Sequence, residues 1–433
     1  FPFAIKRGYK IFGLKTSVFI KDMGTPKRLI ELEKTILSGK LKNLSPRITK
    51  EVVFIDRDGC INKEKGRIKK INDLELIDGS ADGIKNFNHA SIPVFCVTNQ
   101  PVIARGDLTE DELNSIHAKL DFLLGEKGAF LDEIYFCPHH PDKGFKGEIL
   151  KYKIDCNCRK PSPGLIFQAA YEHNINFNKS WLIGDSTTDI AAANKVGIKS
   201  ILLKTGYGGK DLKEKVLPNY IFENLEIASK WITKEYPIVR NSIISNIDRL
   251  KDQKVILISG LNHVGKSNYA QVMKEVFEGL GLNCHLINTN FWGKDILCDL
   301  SEGIKFNKYN LIEIEKFIET CINQKNLIYH QHKINLGNGI FLDNISETIY
   351  PNSTIIIEGP PLVKFFEIFK GKVFSIFKHK DTKTRGNNIN KILNVYNNSY
   401  TKSNSLQKNL FAMDESLILN YLQYSDLEIK LNC

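Results

Sequence analysis

The sequence has no apolar run of the 18 or so residues that a membrane helix needs, and we expect no signal peptide. It also has no internal repeat. Its nine cysteines are an odd number, and nothing in their arrangement demands an oxidising compartment. The 433 residues are 42% hydrophobic and 25% charged, as in ordinary globular proteins. We therefore expect a cytoplasmic chain of two or three domains, with no membrane partner.

A basic surface around the reactive residues is also lacking, although the net charge is +11. Residues 1–50 carry twelve Lys/Arg against three Asp/Glu, which accounts for +9 of that charge. Proteins that bind nucleic acid gather positive charge near the working surface. The charge distribution therefore argues against a nucleic-acid partner.

Strand and helix patterns alternate from residue 51 to residue 233. Apolar strand candidates are Glu51–Asp56, Ile92–Thr98, Glu133–Phe136, Trp181–Gly184 and Lys199–Leu203. Helical patterns such as Thr109–Leu124 and Pro163–His173 lie between them. A further strand, Val255–Ser259, begins another α/β segment after a helical connector near residues 234–253. The sequence predicts two doubly wound parallel sheets, one in residues 51–233 and one in residues 234–433.

The end of the first strand carries a pair of acids, Asp56 and Asp58, followed by Gly59. Residues at i and i+2 of a strand share a face, and open α/β sheets bind ligands at the carboxyl ends of their strands. One carboxylate can then attack phosphorus while the other carries a proton. An Asp-Gly turn after a core strand is the structural alternative.

Three more polar signals follow in order. Thr98 and Asn99 close the second strand, Arg159 and Lys160 precede a helix, and Asp185 ends a later strand. A hydroxyl can bond a phosphoryl oxygen, fixed positive charge can neutralise it, and a carboxylate can hold a metal ion. Singly, each signal also fits a strand end, a solvated basic pair or a helix cap.

Together these four signals resemble the haloacid dehalogenase (HAD) superfamily of aspartyl-phosphate phosphatases. The resemblance implies that Asp56 is the nucleophile and Asp58 the acid and base, with Thr98 and Lys160 steadying the phosphoryl group. It implies Mg²⁺ held by Asp56, the backbone carbonyl of Asp58, and Asp185. Arg57 and Asn99 are candidate substrate-binding residues.

A second group of residues has the spacing of metal ligands. Cys137 and His139 form a Cys-x-His pair, and Cys156 and Cys158 form a Cys-x-Cys pair. Thiolate and imidazole ligands can close a tetrahedral, structural Zn²⁺ site that holds the loop presenting Arg159 and Lys160. Free thiols or a disulfide are the alternatives, and His140 is an alternative ligand to His139.

With Ile103-Ala104-Arg105-Gly106, this loop resembles the D-glycero-D-manno-heptose 1,7-bisphosphate 7-phosphatases over residues 51–232. Arg105 and Arg159 are then candidates for binding the phosphate that is not removed, or else solvated surface arginines. Histidinol-phosphate phosphatases share the zinc loop. Pro101-Val102 and Arg67 depart from the family pattern, where Ser-Gly and Tyr are common.

Gly260, Gly265, Lys266 and Ser267 have P-loop spacing between a strand and a helix. Backbone N–H groups would surround the phosphates of ATP or GTP, Lys266 would reach the β and γ oxygens, and Ser267 would bind Mg²⁺. The alternative is a Gly-rich turn that binds nothing.

The second α/β segment also resembles uridine-kinase-like small-molecule kinases. Glu358 ends an apolar strand, as in those enzymes, and Arg385 is a candidate lid residue or part of a solvated loop. Asn290 stands where those kinases usually carry an acidic base. The sequence therefore predicts nucleotide binding more strongly than kinase turnover.

Residues 1–50 resemble the end of a sugar-phosphate nucleotidyltransferase around Asp22. The Gly-rich nucleotide loop of that family is lacking. We interpret these residues as a truncated remnant, with a basic leader segment as the alternative.

We expect a bifunctional enzyme of nucleotide-activated heptose biosynthesis, which pairs a sugar bisphosphate phosphatase with a sugar kinase. A polynucleotide kinase/3′-phosphatase is the main alternative. The other is a histidinol-phosphate-type phosphatase with a regulatory nucleotide-binding module. The sequence does not indicate an oligomeric state.

Overall fold

The computed structural model describes residues 2–9, 23–37, 48–260, 265–289, 311–323, 327–335, 341–349, 352–359, 362, 365–379, 425 and 427–430. They belong to two compact units, Phe1–Thr233 and Lys234–Cys433. Each unit contains a parallel sheet, which confirms the predicted α/β fold class. None of the described helices is long and apolar enough to cross a membrane.

A six-stranded parallel sheet forms the centre of the first unit. Its strands are β1 (Val53–Ile55), β2 (Val94–Asn99), β3 (Glu133–Cys137), β4 (Trp181–Gly184), β5 (Lys199–Leu203) and β6 (Tyr220–Phe222). Their order across the sheet is β3-β2-β1-β4-β5-β6. The order reverses at β1, and a sheet of this kind binds ligands at such a switch point. The sequence did not predict β6.

Helices precede, connect and follow these strands. They are α1 (Pro2–Lys6), α2 (Pro26–Leu37), α3 (Ser80–His89), α4 (Glu110–Glu126), α5 (Gly164–His173), α6 (Thr187–Val196) and α7 (Leu225–Lys230). The α4 helix begins with a capping box in which the Thr109 side chain and Glu112 satisfy each other's backbone N–H groups. The α6 helix has the same arrangement between Ser186 and Asp189, which fixes where that helix starts.

A five-stranded parallel sheet forms the second unit, in the order β13-β12-β7-β11-β8. Its strands are β7 (Val255–Gly260), β8 (Cys284–Asn288), β11 (Thr354–Glu358), β12 (Phe374–His379) and β13 (Leu427–Lys430). Helices α8 (Tyr236–Ser245), α9 (Ile247–Leu250), α10 (Lys266–Gly279), α11 (Leu311–Ile322) and α12 (Phe365–Ile368) accompany it. An antiparallel hairpin that the sequence did not predict joins β9 (Leu327–Asn335) to β10 (Phe341–Ile349).

Each unit has its own apolar core. In the first, buried Phe54, Phe95 and Leu182 from adjacent strands pack against the helices beside them. In the second, Leu257, Ile357 and neighbouring apolar residues do the same. Burying the strands on both faces fixes their register, so polar side chains at the strand ends are held at defined positions.

Candidate active site

The reactive acids lie where β1 ends. The backbone N–H of Asp56 donates to the Ile183 carbonyl at 2.9 Å, which extends the pairing of β1 with β4 by one residue. Asp56 therefore starts its loop at the same sheet edge as Asp185, the residue after β4. The two predicted acids converge because the carboxyl ends of parallel strands meet at one edge.

Lys160 bridges the acids. Its Nζ lies 2.9 Å from Asp56 Oδ1 and 2.6 Å from Asp189 Oδ1, and it donates to the Val97 carbonyl at 2.8 Å. The side chain is buried, and the two carboxylates outweigh the effect of burial and raise its pKa. Lys160 is thus a permanent cation beside Asp56.

Asn99 holds the backbone of Lys160 from both sides. Its Oδ1 accepts from the Lys160 N–H at 2.9 Å, and its Nδ2 donates to the Lys160 carbonyl at 3.0 Å. The sequence suggested a substrate-binding role for Asn99. In the structure its amide instead positions Lys160.

Three carboxylates are grouped at this edge. Oxygens of Asp56, Asp185 and Asp189 all lie within 4.8 Å of one another. The sequence analysis did not select Asp189, although it follows Asp185 by four residues. Its position in the third residue of α6, where it bonds the Ser186 N–H at 3.2 Å, directs it to the site.

The charge of this group favours a bound cation. Burial raises the pKa of Asp56, Lys160 opposes that effect, and Asp189 and Asp58 add to it. Burial, followed by Asp56 and Asp189, raises the pKa of Asp185 well above its usual range. Three largely buried carboxylates share one lysine, so the group carries excess negative charge that a further cation would neutralise. Mg²⁺ is a cation that carboxylate oxygens bind.

Two glycines leave room for this group. A Cβ on Gly59 would lie 2.1 Å from Asp185 Oδ2, and one on Gly206 would lie 2.0 Å from the same atom. Both residues have positive φ, at 78° and 56°. The backbone approaches the carboxylate closely enough that only glycine fits, as expected around a compact ion site.

Asp58 faces away from the acid group and towards Arg57. Its Oδ2 lies 2.9 Å from Arg57 Nη2 and accepts from Gln100 at 2.9 Å, while its Oδ1 accepts from Asn62 at 2.9 Å. Burial opposes ionisation, but Arg57 and the two amides outweigh it and lower the pKa of Asp58. Arg57 is itself buried and lies 3.2 Å from His117, so in this arrangement it holds Asp58 and not a substrate.

Thr98 is buried at the end of β2. Its Oγ1 accepts from Gln100 Nε2 at 2.9 Å, and the same nitrogen reaches Asp58. The sequence analysis assigned no role to Gln100. The structure gives it one, because it joins the predicted phosphoryl-binding hydroxyl to the predicted proton carrier.

The four predicted zinc ligands form one cluster. The Cys158 sulfur lies 3.1 Å from that of Cys137, 3.3 Å from that of Cys156 and 3.2 Å from His139 Nδ1. All four ligand atoms lie within 4.8 Å of one another. Three sulfurs and one imidazole nitrogen at these separations suit a tetrahedral Zn²⁺ ion. The hydrogen bond between Cys137 and Cys158 lowers the pKa of Cys158 and raises that of Cys137.

Positive charge collects beside this cluster. Arg105 Nη2 lies 3.3 Å from His140 Nε2, and Arg159 Nη1 donates to the His139 carbonyl at 3.2 Å. Arg105 and Lys153 both lie over the Phe145 ring, at 4.5 and 4.6 Å from its centroid. His140, the alternative zinc ligand of the sequence analysis, is buried here beside Arg105 and not in the four-ligand cluster. Sequence reasoning missed Lys153 altogether.

The second unit brings several predicted residues together at the ends of β7 and β11. Ser267 Oγ donates to Glu358 Oε1 at 2.9 Å, and Asn288 Nδ2 bonds the same oxygen. Burial lowers the pKa of Lys266 to about 8, and Glu358 opposes that effect. Gly260 ends β7, and Gly265 precedes α10 with φ of 77°. Glu358 therefore faces the predicted phosphate-binding helix terminus.

Other predicted residues lie outside the described part of the chain. They are Asp22, Asn290, Arg385 and the P-loop residues 261–264.

Comparisons with known proteins connect the first unit to one group of enzymes. A HAD-hydrolase-like family model matches residues 157–228. The D-glycero-beta-D-manno-heptose-1,7-bisphosphate 7-phosphatase of Pasteurella multocida (strain Pm70) is 38% identical over 186 residues, which cover 42% of this chain and 97% of that protein.

Two solved structures are also similar. A D,D-heptose 1,7-bisphosphate phosphatase from B. bronchiseptica, complexed with magnesium and phosphate, is 31% identical and has a TM-score of 0.38. The match covers 43% of this chain and 99% of that one. A possible uridine kinase from Bacillus stearothermophilus is 12% identical with a TM-score of 0.30, covering 45% of this chain and 99% of that one. At these TM-scores neither structure adds to the functional argument.

Proposed function

The chain belongs to the family of D-glycero-D-manno-heptose-1,7-bisphosphate 7-phosphatases, and from this premise we propose that it removes the 7-phosphate of such a heptose bisphosphate. One observation carries the proposal. The Asp56 carboxylate lies at a parallel strand end, 2.9 Å from the buried Lys160 ammonium and beside two further acids. This arrangement suits phosphoryl transfer, which depends on positioning and charge neutralisation.

Asp56 is the proposed nucleophile. Its carboxylate oxygen attacks phosphorus, the bond to the sugar oxygen breaks, and a phospho-aspartate forms. Lys160, fixed by Asn99, keeps positive charge beside the transferring group, and the Thr98 hydroxyl can bond a phosphoryl oxygen. Water then attacks phosphorus and releases inorganic phosphate, which regenerates Asp56.

Asp58 is the proposed proton carrier. It protonates the departing sugar oxygen and later takes a proton from the attacking water. Burial opposes ionisation of Asp58, but Arg57 outweighs it and lowers the pKa of Asp58, so Asp58 must gain a proton before it can act as the acid of the first step.

The acid group fits a magnesium ion. Asp56 and Asp185 would hold it together with the Asp58 carbonyl, and Asp189 lies within the same group. When bound, the ion would neutralise negative charge on the phosphoryl oxygens. Lys160, shared between Asp56 and Asp189, supplies the remaining fixed positive charge.

The cations beside the zinc cluster support a bisphosphate substrate. Arg105 and Arg159 are the proposed contacts for the retained phosphate, with Lys153 next to them. Buried polar atoms are normally paired, yet Arg105 Nε and Lys153 Nζ have no hydrogen-bond partner among the described residues. Glu148, 3.5 Å from Lys153, only partly offsets this charge. A dianionic phosphate suits such a cluster.

A structural zinc ion is proposed for Cys137, His139, Cys156 and Cys158. The last of these ligands is two residues from Lys160, so the site would fix the chain that presents both Arg159 and Lys160.

For residues 234–433 we propose a nucleotide-binding, kinase-like domain that acts on a small sugar, and for residues 51–233 the phosphatase domain. The support is the approach of Lys266, Ser267 and Glu358 at the end of a parallel sheet. Glu358 is the candidate base, because its carboxylate lies at the end of β11 beside Ser267 and Lys266. Together the two activities would serve nucleotide-activated heptose biosynthesis.

Asp56→Asn tests the phosphatase proposal. We expect loss of phosphatase turnover with ATP binding unchanged, while Asp82→Asn, an exposed acid in α3, serves as the control. Phosphorus NMR of the wild-type product identifies which phosphate leaves. Retained turnover in Asp56→Asn would refute the mechanism. Faster hydrolysis of a 3′-phosphorylated DNA oligonucleotide than of heptose bisphosphate would favour the polynucleotide alternative.

A further inference from the structure

Two loops form part of the rim of the phosphatase site. The first follows β1, and its Asn62 donates to Asp58 at 2.9 Å, so this loop starts at the proposed proton carrier. The second follows β2 and carries Arg105, one of the proposed contacts for the retained phosphate. Arg67, which departs from the family pattern, lies on the first loop.

A single carboxylate joins these loops. Asp107 lies on the second loop and forms salt bridges with two residues of the first. Its carboxylate oxygens lie 2.7 Å from Arg67 Nη1 and 2.5 Å from Lys69 Nζ. The Asp107 side chain is only 15% exposed, whereas those of Arg67 and Lys69 are 40% and 43% exposed. The partly buried Asp107 carboxylate thus links the two loops through Arg67 and Lys69, and we call these three residues the tether.

The second loop is also fixed to the zinc-bearing segment. The Ile149 N–H donates to the Ala104 carbonyl at 3.0 Å. Gly106, with φ of 72°, lies so close to Gly147 that a Cβ on it would be 1.9 Å from the Gly147 carbonyl oxygen. Asp107 therefore attaches the first loop to a part of the rim that is already held in place.

The first loop has braces of its own. Glu75 accepts from Lys63 at 2.8 Å and from Lys65 at 2.6 Å. Its local shape therefore does not depend on Asp107. Removing the Asp107 charge should change where the loop lies over the site and leave the fold of the unit intact.

We propose that Asp107 is a positioning residue that selects sugar bisphosphates, by holding the loop after β1 against the loop that carries Arg105. This inference rests on the proposed phosphatase function. A large polyhydroxylated substrate spans the space between the loops and requires both in place. A small aryl phosphate needs only the acids and Lys160, and should be indifferent to the tether.

Asp107→Asn removes the charge while keeping the shape of the side chain. We expect KM for heptose 1,7-bisphosphate to rise about five-fold, the scale of a partly exposed ion-pair network. The value of kcat should stay within about two-fold, and hydrolysis of p-nitrophenyl phosphate should not change. Asp111→Asn, an exposed acid in the first turn of α4, is the matched control.

Two further measurements separate a tether from a general structural role. Arg67→Met with Lys69→Met should reproduce the effect of Asp107→Asn, and adding Asp107→Asn to them should cost nothing more. Raising salt from about 50 mM to about 500 mM should raise KM by a larger factor in the wild type than in Asp107→Asn, because the variant has lost the tether ion pairs and only the contacts between substrate and cations remain to be screened.

The proposal is overturned if Asp107→Asn slows both substrates equally, if it changes neither, or if its effect adds to that of the double variant. Failure of the proposed substrate is a separate outcome, seen as wild-type hydrolysis of aryl phosphate without hydrolysis of heptose bisphosphate. In that case the same variants, compared on the sugar phosphate that the wild type hydrolyses fastest, still decide whether Asp107 tethers the loop.

Discussion

Gly206 offers a sharp test of the acid group, because its neighbour Gly208 has the same backbone conformation. Both residues have φ of 56°, so alanine at either position carries the same left-handed strain, roughly 1 kcal/mol. Their surroundings differ. A Cβ on Gly206 would lie 2.0 Å from Asp185 Oδ2 and 2.6 Å from the Gly59 Cα. On Gly208 the nearest atom is the Lys204 carbonyl oxygen at 3.1 Å.

Gly206→Ala should therefore displace Asp185, while Gly208→Ala should only strain the loop. Ordinary contact needs roughly 3.5 Å, so the carboxylate must retreat by more than about 1 Å. Mg²⁺ demands near-ideal oxygen geometry, and a 1 Å misplacement near the chemistry can cost about 10²-fold in rate. We expect that loss in kcat for Gly206→Ala and a raised magnesium requirement.

The assay is a magnesium titration of phosphatase turnover for wild type and both variants, with thermal melts of each. Gly208→Ala should melt a few degrees lower and keep the wild-type magnesium dependence. If Gly206→Ala and Gly208→Ala lose activity equally, or if Gly206→Ala keeps the wild-type titration, the assignment of Asp185 to the metal group is refuted.

Two further predictions concern the zinc cluster and the P-loop lysine. Cys158→Ser should lose about one zinc per chain by elemental analysis, and its melting temperature and kcat should both fall. Cys284→Ser, the control, should keep the metal. A wild-type protein without zinc would contradict the assignment. Lys266 has a folded pKa of about 8 against 10.5 for the free side chain, so the unfolded chain binds more protons between those pH values and stability rises with pH there. Below pH 8 the burial cost is fully present, so Lys266→Met should stabilise the second unit at pH 7, by about 1–3 kcal/mol in denaturant unfolding, while abolishing ATP binding. A destabilised variant, or one that still binds ATP, would be inconsistent with this reading.

The convergence of Asp56 and Asp185 could be predicted from the sequence because parallel strands place their carboxyl ends along one edge, whereas Lys160 joined them only through the family resemblance. The four zinc-ligand candidates could be predicted because a Cys-x-His pair and a Cys-x-Cys pair each place two ligand atoms close together, as a tetrahedral metal site requires. Both inferences depend on local patterns within or next to predicted strands, where periodicity is informative.

Other contacts could not be predicted, because they depend on how loops close. That Asn99 binds the Lys160 backbone requires knowing the path of sixty intervening residues. Asp189 turns inward because the capping box fixes the start of α6, and His140 is buried because Arg105 lies against it. The β9–β10 hairpin was missed because the sequence pattern was interpreted as simple strand–helix alternation.

The two hydrogen bonds between Asn99 and Lys160 also bear on how this family can diversify. They anchor the distal end of the segment 137–160 directly to β2, a short distance from Asp56. Insertions or replacements within residues 137–160 can therefore alter which sugar is recognised without moving the Lys160 ammonium group. Changes of substrate specificity in this segment can therefore be engineered while the group that neutralises the phosphoryl charge stays in place.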